Sequence, residues 1–367
     1  MKKTLRILGT RGVPAAHGGF ETFAEHLALY LVVHGWRVIV YCQIDGVGPV
    51  FEDTWQGVER VHIPVAQEGP KGTIVFDWQA TAHAAQFKDL CLTLGYNTAI
   101  FCALLRLKGV PNLINMDGVE WKRQKWSGVA KLWFWFNDWA GCWLGNHLVA
   151  DHPQIKVHLQ TRVSSEKITM IPYGADLVTA ADESPVRALG LVPGKFLTVI
   201  ARAEPENSIL EVVKGFSSKP RGYKLVVLGN YQPDNAYHNA IKEVASDEVK
   251  FVGAIYDKSV VQALRFHSAA YVHGHQVGGT NPSLVEAMGA GNPVIAHDNS
   301  FNRWVAGDSA RYFNGAEEFS AVLDNLMSMP SALGEMKADI LHRYHDHFTW
   351  DKVLSDYELL LNKWSAR

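Results

Sequence analysis

Short apolar runs alternate with longer segments of helical period along most of the chain, and this alternation occurs twice. In the first half, the predicted strands are Leu5–Leu8, Arg37–Tyr41, Val58–Pro64, Thr98–Phe101, Asn112–Asn115, His147–Ala150 and Lys167–Ile171. In the second half, they are Phe196–Ala201, Lys224–Leu228, Lys250–Val252, Ala270–His273 and Pro293–Ala296. Such Val-, Ile- and Leu-rich runs are typical of parallel sheets covered by helices. The pattern predicts an α/β protein with two doubly wound domains.

Two segments define the predicted domain boundaries. Ala175–Pro193 mixes acidic, Pro and Gly residues without an apolar period, which is typical of a linker. Phe348–Trp364 has apolar residues at helical spacing, which predicts a helix with one buried face. The predicted divisions are residues 1–180, 181–345 and a final helix within 346–367.

The composition narrows the possible functions. The 367 residues exceed what one hydrophobic core usually serves. A formal charge of -2 argues against a generally basic nucleic-acid binder. The 4 cysteines lie in apolar segments without metal-ligand spacing, which indicates reduced thiols in the cytoplasm, and the 16 histidines show no ligand-like arrangement. No stretch approaches the roughly 18 apolar residues of a membrane span, so any membrane contact is expected to be peripheral.

The run Gly278–Met288 joins a glycine-rich loop, a helix start and one carboxylate. Asn281 is a good N-cap, so the amides of Ser283 and Leu284 are expected to point out of the helix toward an anion. Glu286 lies one turn further, and its side chain leans back toward hydroxyls beside a bound phosphate, such as those of a ribose. An ordinary capped helix with a solvated glutamate is the alternative.

A second glycine-rich loop follows the first predicted strand. Gly9–Gly12 ends that strand, and Gly18–Gly19 opens the next helix, which lets backbone approach a ligand closely. The spacing matches neither the dinucleotide fingerprint nor a P-loop. Anion binding at this helix start is one interpretation, and a loop whose glycines only turn the chain is the other.

Two charged residues follow other predicted strands. Arg202 lies at the sheet edge where ligands of doubly wound folds bind, although surface pairing with Glu204 or Glu206 is the alternative. Asp117 follows Asn112–Asn115, where a carboxylate can orient or deprotonate an acceptor hydroxyl or stabilise positive charge on a sugar ring. An Asp-Gly turn is the alternative. If both sheets end at a shared cleft, these loops converge on one diphosphate ligand.

The segment after Asp117 is rich in tryptophan and basic residues. Its members are Trp121, Arg123, Lys125, Trp126, Lys131, Trp133 and Trp135. Cationic groups beside indoles are common on surfaces that lie on anionic lipid headgroups. An aromatic helix packed in the core is the alternative, which the periodicity favours because it does not separate two faces.

Together these residues resemble the GT-B retaining glycosyltransferases of family 4 over nearly the whole chain. The motif Asn281–Gly291 before Pro293–Ala296, the Gly18–Gly19 loop and Arg202 carry the resemblance. A bacterial subgroup described as rhamnosyltransferase-like looks most similar in Gly9–Thr22, Asn115–Trp126, Glu204–Asn207 and Gly278–Glu286.

The resemblance implies a GT-B fold, in which two Rossmann-like domains face a central cleft and the last helix crosses back onto the first domain. It implies that Glu286 binds the nucleotide ribose and that Arg202 binds the diphosphate, with no metal and no cofactor apart from the nucleotide-sugar co-substrate. The candidate catalytic residues are Asp117, Arg202 and Glu286. The candidate donor-binding residues are Gly18, Gly19, Asn207, Gly279, Thr280, Asn281, Ser283, Leu284 and Val285. The candidate acceptor-binding residues are Arg11, Glu21, Glu120 and Arg123.

Three positions depart from the pattern of that family. Gly278 stands where the wider family usually has Glu, Asn207 where it usually has Lys, and Asp117 where it often has His. Arg11 and Arg303 are candidates to supply the missing positive charge.

These features predict a cytoplasmic glycosyltransferase, peripheral at the inner membrane face, in cell-surface polysaccharide biosynthesis. It is expected to move a hexose or 6-deoxyhexose such as rhamnose from a nucleoside diphosphate to a saccharide or lipid-linked saccharide, and the resemblance implies retention of configuration. The expected partners are the nucleotide sugar, that acceptor and the inner leaflet, but not nucleic acid. A nucleotide-sugar epimerase or hydrolase of the same fold and a non-catalytic sugar-binding protein are the alternatives.

Overall fold

A computed structural model describes residues 2–16, 18–123 and 126–365. The chain divides into two compact units. The first contains Met1–Tyr173 and Trp350–Arg367, and the second contains Gly174–Thr349. Each unit has its own parallel or largely parallel sheet, as the hydrophobic pattern predicted. That the two units face a central cleft stays a prediction.

The described part of the first unit forms an eight-stranded sheet. Its strands are β1 (Thr4–Leu8), β2 (Arg37–Asp45), β3 (Phe51–Trp55), β4 (Val58–Val65), β5 (Leu90–Leu94), β6 (Asn112–Asn115), β7 (His147–Ala150) and β8 (Ile168–Met170). The order is β3-β4-β2-β1-β5-β6-β7-β8, and only β3 runs antiparallel to its neighbour. The carboxyl ends of β1, β5 and β6 therefore lie side by side at one edge, where loops of doubly wound folds bind ligands.

Helices cover both faces of this sheet. They are α1 (Gly19–Val33), α2 (Gly69–Ala84), α3 (Cys102–Leu107), α4 (Gly128–Leu144) and α5 (Pro153–Gln160). From α1, Phe23, Leu27 and Leu31 are buried in one core, whereas Phe76 and Ala80 of α2 belong to another. The side chains on β1 alternate between these two cores, which fixes its place in the middle of the sheet.

The second unit repeats the arrangement with a six-stranded sheet that is parallel throughout. Its strands are β9 (Phe196–Ile200), β10 (Lys224–Leu228), β11 (Val249–Gly253), β12 (Ala270–His273), β13 (Val294–His297) and β14 (Arg311–Phe313), in the order β11-β10-β9-β12-β13-β14. Its helices are α6 (Ser184–Ala188), α7 (Ile209–Phe216), α8 (Ala236–Glu243), α9 (Lys258–Phe266), α10 (Pro282–Gly289), α11 (Ser300–Ala306), α12 (Ala316–Ser328) and α13 (Pro330–His347). The central strands β9 and β12 place the loops that follow them at the same edge.

The last helix, α14 (Trp350–Ser365), belongs to the first unit and packs on α1. The rings of Tyr357 and Phe23 lie 4.6 Å apart, and Trp350 stacks on His26 at 4.3 Å. Asn115, at the end of β6, donates a buried 2.8 Å hydrogen bond from Nδ2 to the Tyr357 hydroxyl. The apolar face predicted from helical spacing is therefore the buried face of α14.

One predicted strand is wrong. Thr98–Phe101 leads into α3 through a 3-10 turn, and the strand of this region is β5, which the sequence pattern did not predict. Four apolar residues do not distinguish a strand from a first helical turn, and the buried run Leu90–Leu94 has no alternation to mark it. The predicted linker Ala175–Pro193 contains the short helix α6. No helix in the described ranges is both long and apolar enough to cross a membrane.

Candidate functional site

Side-chain and backbone contacts tie together the loops after β9 and β12 in the second unit. Asn207 is buried, and its Nδ2 donates a 2.8 Å hydrogen bond to the Arg202 carbonyl. Gly274 approaches so closely that a Cβ there would lie 2.1 Å from the Asn207 carbonyl oxygen. Gln276 Nε2 donates to Ser208 Oγ at 3.0 Å. These contacts fix the loop that carries Arg202 against the loop that leads to α10, and they give Asn207 a loop-holding role.

Arg202 is exposed at this edge. Within the described ranges, its guanidinium forms no ion pair, so the alternative of surface pairing with Glu204 or Glu206 is not observed. A guanidinium held on a fixed loop without a carboxylate partner is suited to bind an anion with its paired donors.

The start of α10 differs from the expectation. Asn281 caps the helix, because its Oδ1 accepts a hydrogen bond from the Ser283 amide at 3.0 Å. The Leu284 amide donates to the Asn281 carbonyl at 3.1 Å. The expectation that these two amides are free for an anion is therefore wrong, since the helix start already satisfies them. In the preceding loop, the Gly279 amide donates to none of the described residues, which leaves it available to a ligand.

Glu286 is held by a charged partner. Its Oε2 lies 2.5 Å from Nη2 of Arg265, a residue of α9, while about a third of the glutamate side chain (34%) is exposed. The same Nη2 lies 3.3 Å from the Ser283 hydroxyl, which is 2.7 Å from the Tyr271 hydroxyl. Arg265 thus orients Glu286, and the exposed part of the carboxylate can accept hydrogen bonds from ligand hydroxyls.

Two histidines stack at the end of β12. The rings of His273 and His275 are 4.2 Å apart and nearly parallel. Burial, reinforced by the neighbouring His275, lowers the pKa of His273 well below its ordinary value. His273 is therefore neutral at physiological pH. Across residues 2–16, 18–123 and 126–365, no group of three or more His, Cys, Asp or Glu side chains could hold a metal ion.

Arg303, one candidate for the missing positive charge, is paired. Its Nη2 lies 2.7 Å from Asp298 Oδ2, and this guanidinium holds the pKa of the Asp298 carboxyl below its ordinary value. The other candidate, Arg11, makes no ion pair with described residues of the chain. Arg11 lies in the first unit, after β1.

The glycine-rich loop of the first unit is pinned to α1 by two carboxylates. Glu21 Oε1 accepts a 3.1 Å hydrogen bond from the Arg11 amide, and Glu25 Oε2 accepts from the Ala15 amide at 2.5 Å. The helix begins at Gly19 without a side-chain cap. Among the described residues, no side chain caps the first-turn amides of α1 as Asn281 does in α10, and anions bind at uncapped helix starts of this kind.

Asp117 adopts a left-handed backbone conformation, with φ 52°, directly after β6. Its amide donates a 3.0 Å hydrogen bond to Asn115 Oδ1. Non-glycine residues in this region cost of order 1 kcal/mol and cluster at functional sites. Arg123 Nη1 forms a 2.7 Å ion pair with Glu120 Oε1, and the Trp126 indole N–H donates a 2.9 Å hydrogen bond to Glu120 Oε2. The structure thus brings Asp117 to the sheet edge and places Glu120 and Arg123 in a local ion pair.

A cavity of about 270 Å³ opens within the first unit, at the carboxyl ends of β1, β2 and β5. Two candidate acceptor residues, Arg11 and Glu21, line it together with Asp77 of α2. Burial raises the pKa of Asp77 to about 6, although the Thr98 hydroxyl donates to its Oδ2 at 2.7 Å. Asp77 lies in mid-helix without a local sequence motif, so it could not be predicted as a site residue from the sequence.

Comparison with known families covers most of both units. Residues 188–339 match the family described as Glycosyl transferases group 1, and residues 2–176 match a domain of unknown function, DUF1972. The second unit thus contains the segment that is similar to the group 1 glycosyl transferases. None of the curated protein sequences matches the chain.

Solved structures share the fold at low sequence identity. Sucrose-phosphate synthase from Thermosynechococcus elongatus superposes with a TM-score of 0.83 at 18% identity over 100% of both chains. HepE of Anabaena, in complex with UDP and glucose, superposes with a TM-score of 0.76 at 14% identity over 99% of this chain and 100% of that chain. A UDP-forming α,α-trehalose-phosphate synthase from Burkholderia xenovorans, in complex with glucose-6-phosphate, superposes with a TM-score of 0.75 at 12% identity over 98% of this chain and 100% of that chain. The chain therefore has a GT-B-like fold.

Helix α4 of the first unit carries an exposed apolar stripe. Its exposed members are Val129 (82%), Leu132 (65%), Trp133 (36%), Trp135 (44%), Phe136 (46%) and Trp143 (62%). The opposite face is in the core, where Asn137 and Asp138 are buried. Trp121 and Trp133 donate their indole N–H groups to Asp138 and to the Asn97 carbonyl, at 3.0 and 2.8 Å. Lys125, part of the predicted lipid-facing set, lies outside the described residues.

Proposed function

We propose that this protein is a glycosyltransferase that moves a hexose or 6-deoxyhexose, such as rhamnose, from a nucleoside diphosphate to a saccharide acceptor with retention of configuration. The assignment to family 4 and to its rhamnosyltransferase-like subgroup is part of this proposal, as is a role in cell-surface polysaccharide biosynthesis. The observation that carries it is the Arg202 guanidinium, which has no carboxylate partner among the described residues and stands on a loop held at the carboxyl edge of β9, beside the loop that leads to α10.

Arg202 is assigned to the diphosphate. Negative charge develops on the leaving diphosphate as the glycosidic bond breaks, so a fixed cation there stabilises the transition state more than the ground state. The buried contacts of Asn207 hold the loop in place before the ligand arrives, which reduces the reorganisation needed during the reaction. A diphosphate oxygen then accepts the proton of the acceptor hydroxyl.

Glu286 is assigned to the nucleotide ribose. Its Oε2 is engaged by Arg265, and about a third of the side chain (34%) remains exposed. A carboxylate accepts hydrogen bonds from the two vicinal hydroxyls of a ribose, and such charge-assisted bonds are the stronger kind. Gly279 is assigned to the donor through its available amide.

The nucleotide is proposed to be a uridine diphosphate in the first instance. HepE of Anabaena binds UDP and glucose, and the trehalose-phosphate synthase of Burkholderia xenovorans is UDP-forming. Both proteins share the fold of this chain at low identity, so they support the class of donor and leave the sugar open.

A panel of nucleotides tests the donor site. UDP, GDP, ADP and dTDP are added to the wild type and to Arg202→Ala, and thermal shifts are measured across a concentration series. At about 100 times its dissociation constant, a bound nucleotide adds roughly 2.7 kcal/mol of stability. Loss of charge-assisted hydrogen bonds worth roughly 1.5–3 kcal/mol should weaken binding about 10- to 100-fold in Arg202→Ala.

Arg187→Ala is the matched control, because Arg187 is an exposed arginine of the same unit that pairs only with Glu183 on the surface. Its nucleotide affinity should equal that of the wild type. No shift with any nucleotide, or equal affinities for wild type and Arg202→Ala, would reject the assignment. Release of free sugar or an epimer from UDP-glucose, as fast as any transfer, would instead favour the hydrolase or epimerase.

The acceptor is proposed to be lipid-linked, with the protein docked on the inner leaflet through the apolar stripe of α4. Indole and aliphatic side chains insert at the headgroup boundary, and nearby basic residues attract anionic lipid. Lys131 is a basic residue of the same helix. Lys167 and Arg106 are two further basic residues near each other, because burial first and the charge of Arg106 second lower the pKa of Lys167. Lys167 in turn donates to the Cys142 carbonyl at the end of α4.

Liposome flotation tests this surface. Wild type should float with vesicles of phosphatidylglycerol and phosphatidylcholine, whereas a Leu132→Ser, Trp143→Ser double variant should stay mostly in the bottom fraction. Tyr256→Ser is the control, because Tyr256 is a highly exposed aromatic residue of the second unit. Equal flotation of all three proteins, or none for the wild type, would reject the membrane assignment.

A further inference from the structure

The cavity of the first unit has the size and lining of a binding site. Its volume of about 270 Å³ is close to the lower end of ligand pockets, roughly 300–1,000 Å³, which suits one monosaccharide ring. It lies at the carboxyl edge of a parallel sheet, where ligands of such folds bind. The described residues that line it all belong to the first unit.

The polar lining consists mainly of hydroxyl, amide and carboxyl groups. Thr10, Thr73, Thr81, Thr93 and Thr98 are its 5 threonines. Gln43 Oε1 is buried and accepts no hydrogen bond from the described part of the chain, so it lacks the donor that buried carbonyl oxygens normally have. Asp77 accepts from Thr98 through Oδ2, and Oδ1 accepts from no described residue. Gln43 Oε1 and Asp77 Oδ1 are therefore two acceptor oxygens in one small cavity that can accept hydrogen bonds from a ligand.

Apolar rings complete the walls. Phe20 and Phe76 line the cavity beside Leu8 and Leu94. The Phe20 ring lies against Gly95, just after β5, since a Cβ on this glycine would be in van der Waals contact with the ring at 3.4 Å. Aromatic faces beside convergent acceptors match a sugar ring, which has apolar C–H faces and hydroxyl edges.

The charges of the lining argue against a phosphorylated ligand. Asp77 and Glu21 carry carboxyl groups, and Arg11 is the only basic residue among the described residues of the lining. Glu21 is buried and already accepts from the Arg11 amide. A phosphate dianion would lose hydration and meet two carboxyl groups, which raises its free energy in the cavity.

We propose that this cavity binds an uncharged sugar ring of the acceptor, with Asp77 and Gln43 accepting its hydroxyl hydrogens. This inference rests on the proposed function and specifies its acceptor: a neutral saccharide terminus in place of a sugar phosphate. Asp77 and Gln43 are positioning residues, and the ring stacks on Phe20. The trehalose-phosphate synthase of similar fold was solved with glucose-6-phosphate, so the proposal separates this chain from that kind of acceptor.

Saturation-transfer difference NMR with small saccharides tests the site. The probes are the methyl glycosides of glucose, galactose, mannose, rhamnose and N-acetylglucosamine, together with glucose-6-phosphate, each titrated to obtain a dissociation constant. At least one neutral glycoside should bind the wild type, and its affinity should fall at least about 10-fold in Asp77→Asn, because an amide replaces one hydroxyl-accepting oxygen with a donor. Glucose-6-phosphate should bind more weakly than methyl glucoside.

Glu166→Gln is the matched control. Glu166 is an exposed carboxylate of the same unit, in the turn before β8 and hence at the opposite edge of the sheet. Its variant should bind the glycosides like the wild type. A Gln43→Leu variant provides a second measurement at the cavity, with the same expected loss of affinity.

The inference fails if no neutral glycoside binds the wild type, if Asp77→Asn and Gln43→Leu bind as the wild type does, or if glucose-6-phosphate binds more tightly than methyl glucoside. Nucleotide thermal shifts on the same preparation separate this failure from that of the proposed function. A protein that binds UDP but no glycoside retains its donor site and loses only the acceptor assignment.

Discussion

Replacement of Asp77 by asparagine should stabilise the protein. Burial raises the pKa of this carboxyl from 3.8 to about 6, so ionisation is disfavoured in the folded state. Each pKa unit corresponds to about 1.4 kcal/mol, which gives a penalty of about 3 kcal/mol above pH 6. Asparagine has no charge to bury and can still accept the hydrogen bond from Thr98. The predicted gain is therefore about 3 kcal/mol at pH 7.5.

The pH dependence follows from the sign of the shift. Between pH 3.8 and about 6, the folded state binds the Asp77 proton more tightly than the unfolded state, so stability falls as pH rises through this window. Above it the penalty is constant. The other charged groups that line the cavity, Arg11 and Glu21, are unchanged in the variant. The difference in unfolding free energy between Asp77→Asn and wild type should grow from pH 4.5 to pH 7.

Urea unfolding of wild type, Asp77→Asn and Glu166→Gln at several pH values measures this difference. The control should follow the wild type within about 0.5 kcal/mol, as expected for an exposed residue. A variant that is no more stable than the wild type at pH 7.5, or a gain that does not change with pH, would refute the reasoning. A carboxyl retained at such a cost is typical of functional sites, where activity and stability conflict.

Two further predictions concern the second unit. Gly274→Ala should destabilise it by about 1–3 kcal/mol in thermal or urea unfolding and weaken nucleotide binding, since the new Cβ would lie 2.1 Å from the Asn207 carbonyl oxygen. Gly334→Ala in α13 is the control, because a Cβ there would have no neighbouring atom within 4 Å, and it should be neutral or stabilise by up to about 1 kcal/mol. In a cycle of UDP and dUDP binding measured by calorimetry, removal of the 2′-hydroxyl should weaken binding to the wild type but not to Glu286→Ala, and an equal loss in both proteins would contradict the ribose assignment.

Much of the fold could be predicted because buried parallel strands leave a local signal. Two series of apolar runs alternating with helical segments, separated near residue 180, predicted two doubly wound units. The helical spacing of Trp350, Val353, Leu354 and Tyr357 predicted the buried face of α14. Strand β5 was missed because its residues are buried on both faces and show no alternation. The antiparallel edge strand β3 was missed because four of its five residues are exposed.

The candidate site was harder to predict because its geometry depends on contacts between distant residues. Asn281 was correctly expected to be an N-cap, but the same cap satisfies the Ser283 amide that was expected to bind an anion. Glu286 has a partner on another helix, Arg265, which no spacing in its own motif indicates. Asp77 acquires its raised pKa only when α2 closes over the ends of β1 and β5.

The most direct test of the central claim is a crystal structure of the protein with the nucleotide that gives the largest thermal shift, UDP being the first choice. The account predicts that the diphosphate contacts the Arg202 guanidinium at the carboxyl edge of β9 and that the ribose hydroxyls lie within hydrogen-bond distance of Glu286. A nucleotide bound elsewhere, with Arg202 and Glu286 both lacking contact to it, would contradict the account.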